Sequence, residues 1–153
     1  MTDFANLPAI EGRFSIILVE TDQNQLLLLK RRADAKFGGG FWGVPAGHIE
    51  PEENPYQCAL REMEEETSIH FRNKPLQKIG PIRDTLYGGK FEIYLFHQRW
   101  ESGDIQLNHE HTEFAWVSKA DYPQYQVMDG IDEDILYFNI WPREYLNEEK
   151  LPT

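Results

Sequence analysis

Between positions 47 and 69 the chain reads GHIEPEENPYQCALREMEEETSI. Glu50 to Asn54 are acidic and loop-like, and Asn54-Pro55 has the residue types of a helix N-cap followed by its first position. From Pro55 to Thr67 the spacing predicts a helix, because Tyr56, Ala59, Leu60, Met63 and Thr67 recur at three- and four-residue intervals. At ~100° per residue, Glu62, Glu65 and Glu66 fall within about 100° of one another, and the apolar stripe is centred about 120° away. One face then docks on a sheet while the adjacent face presents three carboxylates together. Cys58 falls on the exposed or flanking side and reads as structural. Glu62 and Glu66 form a like-charge i,i+4 pair that costs a few tenths of a kcal/mol in an isolated helix. A divalent cation reverses that sign, and hard cations such as Mg²⁺ take carboxylate oxygens and hold substrates through phosphates. The competing reading is an ordinary solvated acidic face.

The flanks supply a sheet. Phe14 to Glu20 and Gln25 to Lys30 are apolar, β-compatible runs around the polar tetrad Thr21-Asp22-Gln23-Asn24, the pattern of a hairpin. Gly38-Gly39-Gly40 precedes a short strand through Phe41-Trp42-Gly43-Val44, which Pro45-Ala46-Gly47 closes. Leu76 to Arg83 and Lys90 to Trp100 read as strands joined through Tyr87-Gly88-Gly89-Lys90. In the second, Phe91, Ile93, Leu95 and His97 alternate with Glu92, Tyr94, Phe96 and Gln98, so both faces are expected to be partly covered. Phe114 to Val117 is another short strand. Asp129 to Asn139 places Ile131, Ile135 and Phe138 on one face of an amphipathic helix stopped by Pro142. Strands and two helices without strict alternation predict an α+β sandwich with a mixed sheet and flanking helices.

Length and charge narrow the function. The 153 residues fit one domain spanning 1–153, and no repeat or linker divides them. There are 15 Lys plus Arg against 26 Asp plus Glu, a formal net charge of -11. Such a surface repels nucleic acid polymers and anionic membranes. An anionic substrate therefore needs local positive charge, for which a metal ion is the obvious source. The single cysteine excludes an intrachain disulfide and a zinc finger. Met1 to Ile10 lacks the basic and apolar regions of a secretory signal, and no apolar run approaches the ~20 residues of a membrane span. A cytoplasmic location is expected.

The stretch quoted first resembles a known family. Gly47, five residues, Glu53, seven residues, then Arg61-Glu62-Met63-Glu64-Glu65-Glu66-Thr67-Ser68-Ile69 matches the Nudix box, G-x5-E-x7-R-E-U-x-E-E-x-G-U (U aliphatic), at every fixed position except the last glycine, here Ser68. Trp42 to Gly47 before the box and Glu110 ahead of Trp116-Val117 also match. The resemblance is strongest from Leu26 to Ile69 and weakest after Tyr122. It implies an α/β/α sandwich around a mixed sheet, with the box as loop–helix–loop at about 47–69. It also implies hydrolysis of a nucleoside diphosphate linked to another moiety, with Mg²⁺ or Mn²⁺ assisting attack by water on phosphorus.

Carried over residue by residue, the resemblance makes Glu62, Glu65 and Glu66 metal-binding carboxylates, Glu66 the firmest, and Gly47 the source of a metal-contacting backbone carbonyl. Arg61 would orient the carboxylates and pair with Glu53. Glu110 looks like the later-loop carboxylate that in some members binds metal or acts as general base, with Glu113 competing for that role. Glu62 and Glu110 are the two candidates for base. Ser68 would occupy a left-handed position at a cost of ~1 kcal/mol.

Other residues carry weaker signals. Lys30-Arg31-Arg32 is the densest basic cluster, and Arg31 or Arg32 is the expected phosphate contact, against an ordinary solvated strand end. Trp42, Phe37 and Phe41 are candidates for stacking on a base, although aromatics beside a strand more often form core. Tyr122, Tyr125, Tyr137 and Trp141 invite the same two readings. In His109-Glu110-His111 an extended backbone would put the two histidines together with Glu110 opposed; a hard-cation role for Glu110 alone is favoured over a zinc site. Similar stretches occur in diadenosine-polyphosphate-type Nudix enzymes. The expected activity is thus Mg²⁺-dependent hydrolysis of a pyrophosphate bond in a nucleoside triphosphate or other nucleoside diphosphate derivative. Competing readings are a dinucleoside polyphosphate or nucleotide-sugar hydrolase, and a non-catalytic nucleotide-sensing module on the same fold. The partner is a small nucleotide-type substrate, with a homodimer as the assembly to test.

Overall fold

The two apolar runs before the box become strands β1 (Gly12–Glu20) and β2 (Leu26–Arg31), in a computed structural model that describes residues 7–152. Most of the N-terminal stretch considered as a secretory signal lies outside those residues. The predicted hairpin forms, but only at its neck. Thr21 N–H donates to the Gln25 carbonyl at 2.9 Å and Glu20 pairs with Leu26, after which the strands take other partners. The single strand expected through Phe41–Val44 is instead two: β3 (Trp42–Gly43) on β2 and β4 (Ala46–His48) on β1. Pro45, which has no N–H to give a ladder, sits at the break. Residues 45–47 therefore begin a strand rather than close one.

The chain continues through α1 (Pro55–Thr67), β5 (Gln77–Arg83), β6 (Phe91–Arg99), β7 (His111–Val117) and α2 (Ile131–Tyr137). The sheet path is β3-β2-β1-β6-β5, with β4 added on β1 and β7 on β2. β1 and β6 run parallel from Gly12↔Phe91 to Glu20↔Arg99, and the other named strand pairs are antiparallel. The sheet is mixed, as expected.

Strand alternation sends side chains to two cores. Ile17, Val19, Leu27, Leu29 and Phe96 meet Ala59 and Met63 of α1 on one face. Leu18, Leu26, Leu28 and Leu95 meet Ile131, Ile135, Phe138 and Trp141 on the other. This is an α/β/α sandwich. Both faces of β6 are covered, and Tyr122 and Trp141 are core residues.

α1 has the predicted bounds. Its Asn54 side chain accepts from Gln57 N–H at 2.8 Å, while Gln57 Oε1 accepts from Asn54 N–H at 2.8 Å. This reciprocal pair satisfies two donors that a helix start leaves open. Ser15 Oγ also donates to the Pro55 carbonyl at 2.6 Å, tying the helix start to β1. α2 is shorter than predicted. It ends because Asn139 adopts a left-handed φ of 54°, so the helix is already over before Pro142. No helix among the described residues is long and apolar enough to cross a membrane.

Candidate metal and phosphate site

α1 carries the acidic residues, and the sheet decides which of them is buried. Cys58, Ala59, Met63, Glu66 and Thr67 face inward, with Leu60 only half-buried. The buried arc is therefore rotated toward the glutamates relative to the stripe read from the sequence. Cys58 is fully buried, not flanking, and its thiol lies over the His48 carbonyl at 3.3 Å. Burial pushes that thiol up to about 11, which makes it inert.

The same rotation gives the three carboxylates different burial and different partners. Glu62 and Glu65 both accept from Arg61 Nη1, at 2.9 and 3.2 Å. Arg61 also donates from Nε and Nη2 to the two oxygens of Glu53, at 3.0 and 2.8 Å, and from Nη2 to the His48 carbonyl at 2.9 Å. The two-pronged bond to the guanidinium holds the Glu53 carboxyl down at about 2. Arg61 thus ties the loop before the helix to the helix surface, as the motif implied. Glu62 lies so close to Gly47 that any Cβ there would collide with its carboxylate; only glycine permits this approach.

Glu66 is packed against the sheet. It is 2% exposed, and its Oε2 accepts from Ala46 N–H at 3.3 Å. Burial first, then the charges of Glu62 and Glu110, push its carboxyl up to about 9. Glu62 is shifted upward as well, chiefly by burial and against the pull of Arg61. Ligand atoms of Glu66, Glu110 and His111 lie within 4.8 Å of one another. This group offers mainly carboxylate oxygen, and a cation relieves both the burial of Glu66 and its repulsion by Glu62 and Glu110. The residues therefore fit a divalent ion of the Mg²⁺ or Mn²⁺ kind.

Glu110 and not Glu113 reaches this group. Glu113 lies opposite Lys30 across the β2–β7 ladder and pairs with it at 3.4 Å. The arrangement expected for 109–111 is corrected: His109 is exposed, while His111 is buried beside Glu66. The chain turns at 109–110 before β7 begins, so strict alternation does not run through the triplet. His111 is the site residue that sequence reasoning passed over, although the His-Glu-His stretch was its signal. Its ring is pushed down to about 4 by burial and by Arg31.

Among the basic residues, Lys30 is taken by Glu113 and Arg32 pairs with Asp34 at 3.1 Å. Arg31 donates from Nε to the Phe37 carbonyl at 2.8 Å, and its charge acts on both Glu66 and His111. Trp42 packs edge-on against Tyr125 at a centroid distance of 5.1 Å, in the α2-side core. Phe37, 67% exposed, is the aromatic left open to solvent near Arg31.

A family model described as NUDIX domain matches residues 11–136. The nucleoside triphosphatase NudI of Escherichia fergusonii is 31% identical over 122 residues, covering 72% of this chain and 84% of that protein. The NAD-capped RNA hydrolase NudC of Pseudomonas entomophila is 27% identical over 156 residues, covering 99% of this chain; the chain spans 52% of that protein's length. The solved MutT protein of Methanosarcina mazei Go1 superposes with a TM-score of 0.65 at 25% identity, covering 92% of this chain and 91% of that one.

Proposed function

The chain belongs to the NUDIX family, and from that premise we propose that it hydrolyses a pyrophosphate bond of a nucleoside triphosphate or a related nucleoside diphosphate derivative, with Mg²⁺ or Mn²⁺ as cofactor. The observation that carries this reading is the buried Glu66, held at about 9 beside Glu62 and Glu110. A carboxyl so unfavourably placed is relieved when a cation binds beside it. The similarity to a nucleoside triphosphatase over 84% of that protein's length supports the triphosphate among the possible substrates. The net charge of -11 supports a small nucleotide over a polymer.

Glu66 and Glu110 would hold the ion, with the Gly47 carbonyl and Glu65 as further oxygen donors. When bound, the ion screens the charge that builds on the phosphates and acidifies water. Glu62 takes the proton from the attacking water. Its Oε1 is fixed by Arg61, and its upward-shifted carboxyl is a better base than an exposed glutamate. Arg61 positions Glu62 and does not itself meet substrate. Arg31 would contact a phosphate in preference to Arg32, which is already paired with Asp34.

Glu66→Gln tests the reading. Nucleotides are incubated with Mg²⁺ or Mn²⁺ and products resolved by chromatography. Turnover in the variant is expected to fall by about 100-fold or more with circular dichroism unchanged. Wild-type turnover in a folded Glu66→Gln protein would remove the ligand assignment.

A further inference from the structure

We propose that His111 is a direct metal ligand, so that this site holds its ion through an imidazole nitrogen as well as carboxylate oxygens and favours Mn²⁺ or a similar borderline ion over Mg²⁺. The inference rests on the metal-site reading above and deepens it.

The first observation is a buried ring with no hydrogen-bonding role. The His111 side chain is 2% exposed, and its Nδ1 is buried with no hydrogen-bond partner among the described residues. Nε2 stands 3.7 Å from Glu66 Oε1, beyond hydrogen-bond reach. Nε2, the nitrogen that faces Glu66, is the one a metal would take, which leaves the ring proton on Nδ1. A neutral imidazole carries one N–H and one lone pair, and the lone pair is what a metal takes.

The second observation is convergence from separate elements. Glu66 comes from the end of α1, Glu110 from the turn before β7 and His111 from the first residue of β7. Their ligand atoms all lie within 4.8 Å of one another. For metal–ligand bonds of about 2.1 Å, neighbouring ligands of an octahedron are about 3.0 Å apart and opposite ones about 4.2 Å. The 3.7 Å between Nε2 and Oε1 lies between those two separations, so the pair reaches either one through a side-chain shift of about 0.5–0.7 Å. An ion pair between ring and carboxylate is the rival explanation, but it would draw the two atoms to about 2.8 Å.

The chemistry then sets the preference. Mg²⁺ is met chiefly by oxygen, whereas imidazole suits first-row transition ions. Removing the nitrogen therefore weakens Mn²⁺ binding more than Mg²⁺ binding, which a purely carboxylate site would not do.

Pulsed electron paramagnetic resonance on the wild-type protein with one equivalent of Mn²⁺ tests this directly. The expected result is the ¹⁴N coupling of a bound imidazole, absent in His111→Gln. Calorimetric titration of the same pair is expected to show Mn²⁺ affinity falling about tenfold or more and Mg²⁺ affinity changing less than about threefold. Tight Mn²⁺ binding that depends on Glu66 but shows no nitrogen coupling in the wild type overturns this inference and leaves the metal site standing. Failure of the wild type to bind Mn²⁺ at all overturns both. Should His111→Gln not fold, the wild-type spectrum and a His111→Asn variant still decide the matter.

Discussion

Arg31 is the basic residue whose charge acts on both Glu66 and His111. The three basic residues 30–32 read as one cluster, and nothing in their order ranks them. The structure ranks them by what each already holds. Lys30 is held by Glu113 and Arg32 by Asp34, whereas Arg31 contacts only the Phe37 carbonyl through Nε among the described residues. The deciding partners, Asp34 and Phe37, lie in a loop whose path a sequence pattern does not specify. A charge-assisted bond to phosphate is worth about 1.5–3 kcal/mol. Arg31→Ala is therefore expected to raise KM for a nucleoside triphosphate by about tenfold or more with little change in kcat. Arg32→Ala is expected to change KM less than about threefold, since exposed ion pairs contribute little. Steady-state kinetics on both variants measures the difference; equally raised KM in both would make Arg32 a phosphate contact too, and an unchanged KM in both would return the cluster to plain surface charge.

Among elements, α1 was the most legible. Asn54 and Pro55 mark its start, and the box itself marks its end. The period does not give its rotation: the apolar stripe marks one side of the buried face, and the sheet also buries Cys58 and Glu66. A charged residue on a buried arc follows a functional demand that hydrophobic periodicity cannot report. β4 is silent in the sequence for a different reason. Three residues held by backbone pairing with β1 leave no side-chain signature. The far end of α1 carries a test. Ser68 adopts φ 65° and ψ 19°, and its N–H donates to the Glu64 carbonyl at 2.8 Å. The left-handed position suits glycine, as the sequence led one to expect, and serine there costs about 1 kcal/mol. Against this, its hydroxyl gains only a long 3.4 Å bond to the Gln106 carbonyl. Ser68→Gly is expected to raise unfolding stability by about 0.5–1 kcal/mol with turnover unchanged. Urea denaturation gives the sign; a loss of stability would mean that the Gln106 contact outweighs the backbone strain.

For the whole molecule, the raised Glu66 carboxyl links folding, protons and metal. Its ordinary value is 4.5, and in the folded protein it is pushed to about 9. Between those values the folded chain keeps a proton that the unfolded chain has released, so this group's contribution to stability falls as pH rises. It is fully favourable to folding below about 4.5 and at its worst above about 9. A divalent ion acts in the opposite direction, because it binds the deprotonated carboxylate and only in the folded state. In chelator, the melting temperature is therefore expected to decline from pH 6 to pH 8.5. With millimolar Mn²⁺ the gain over chelator should be larger at pH 8.5 than at pH 6. Glu66→Gln removes the titrating group, so its chelator curve should be flatter and its metal-induced gain smaller at every pH. Differential scanning calorimetry across that range, in wild type and variant, measures all four curves. A wild-type curve in chelator that rises with pH, or a variant that keeps the full metal-dependent gain, would show that Glu66 is not where proton and metal compete.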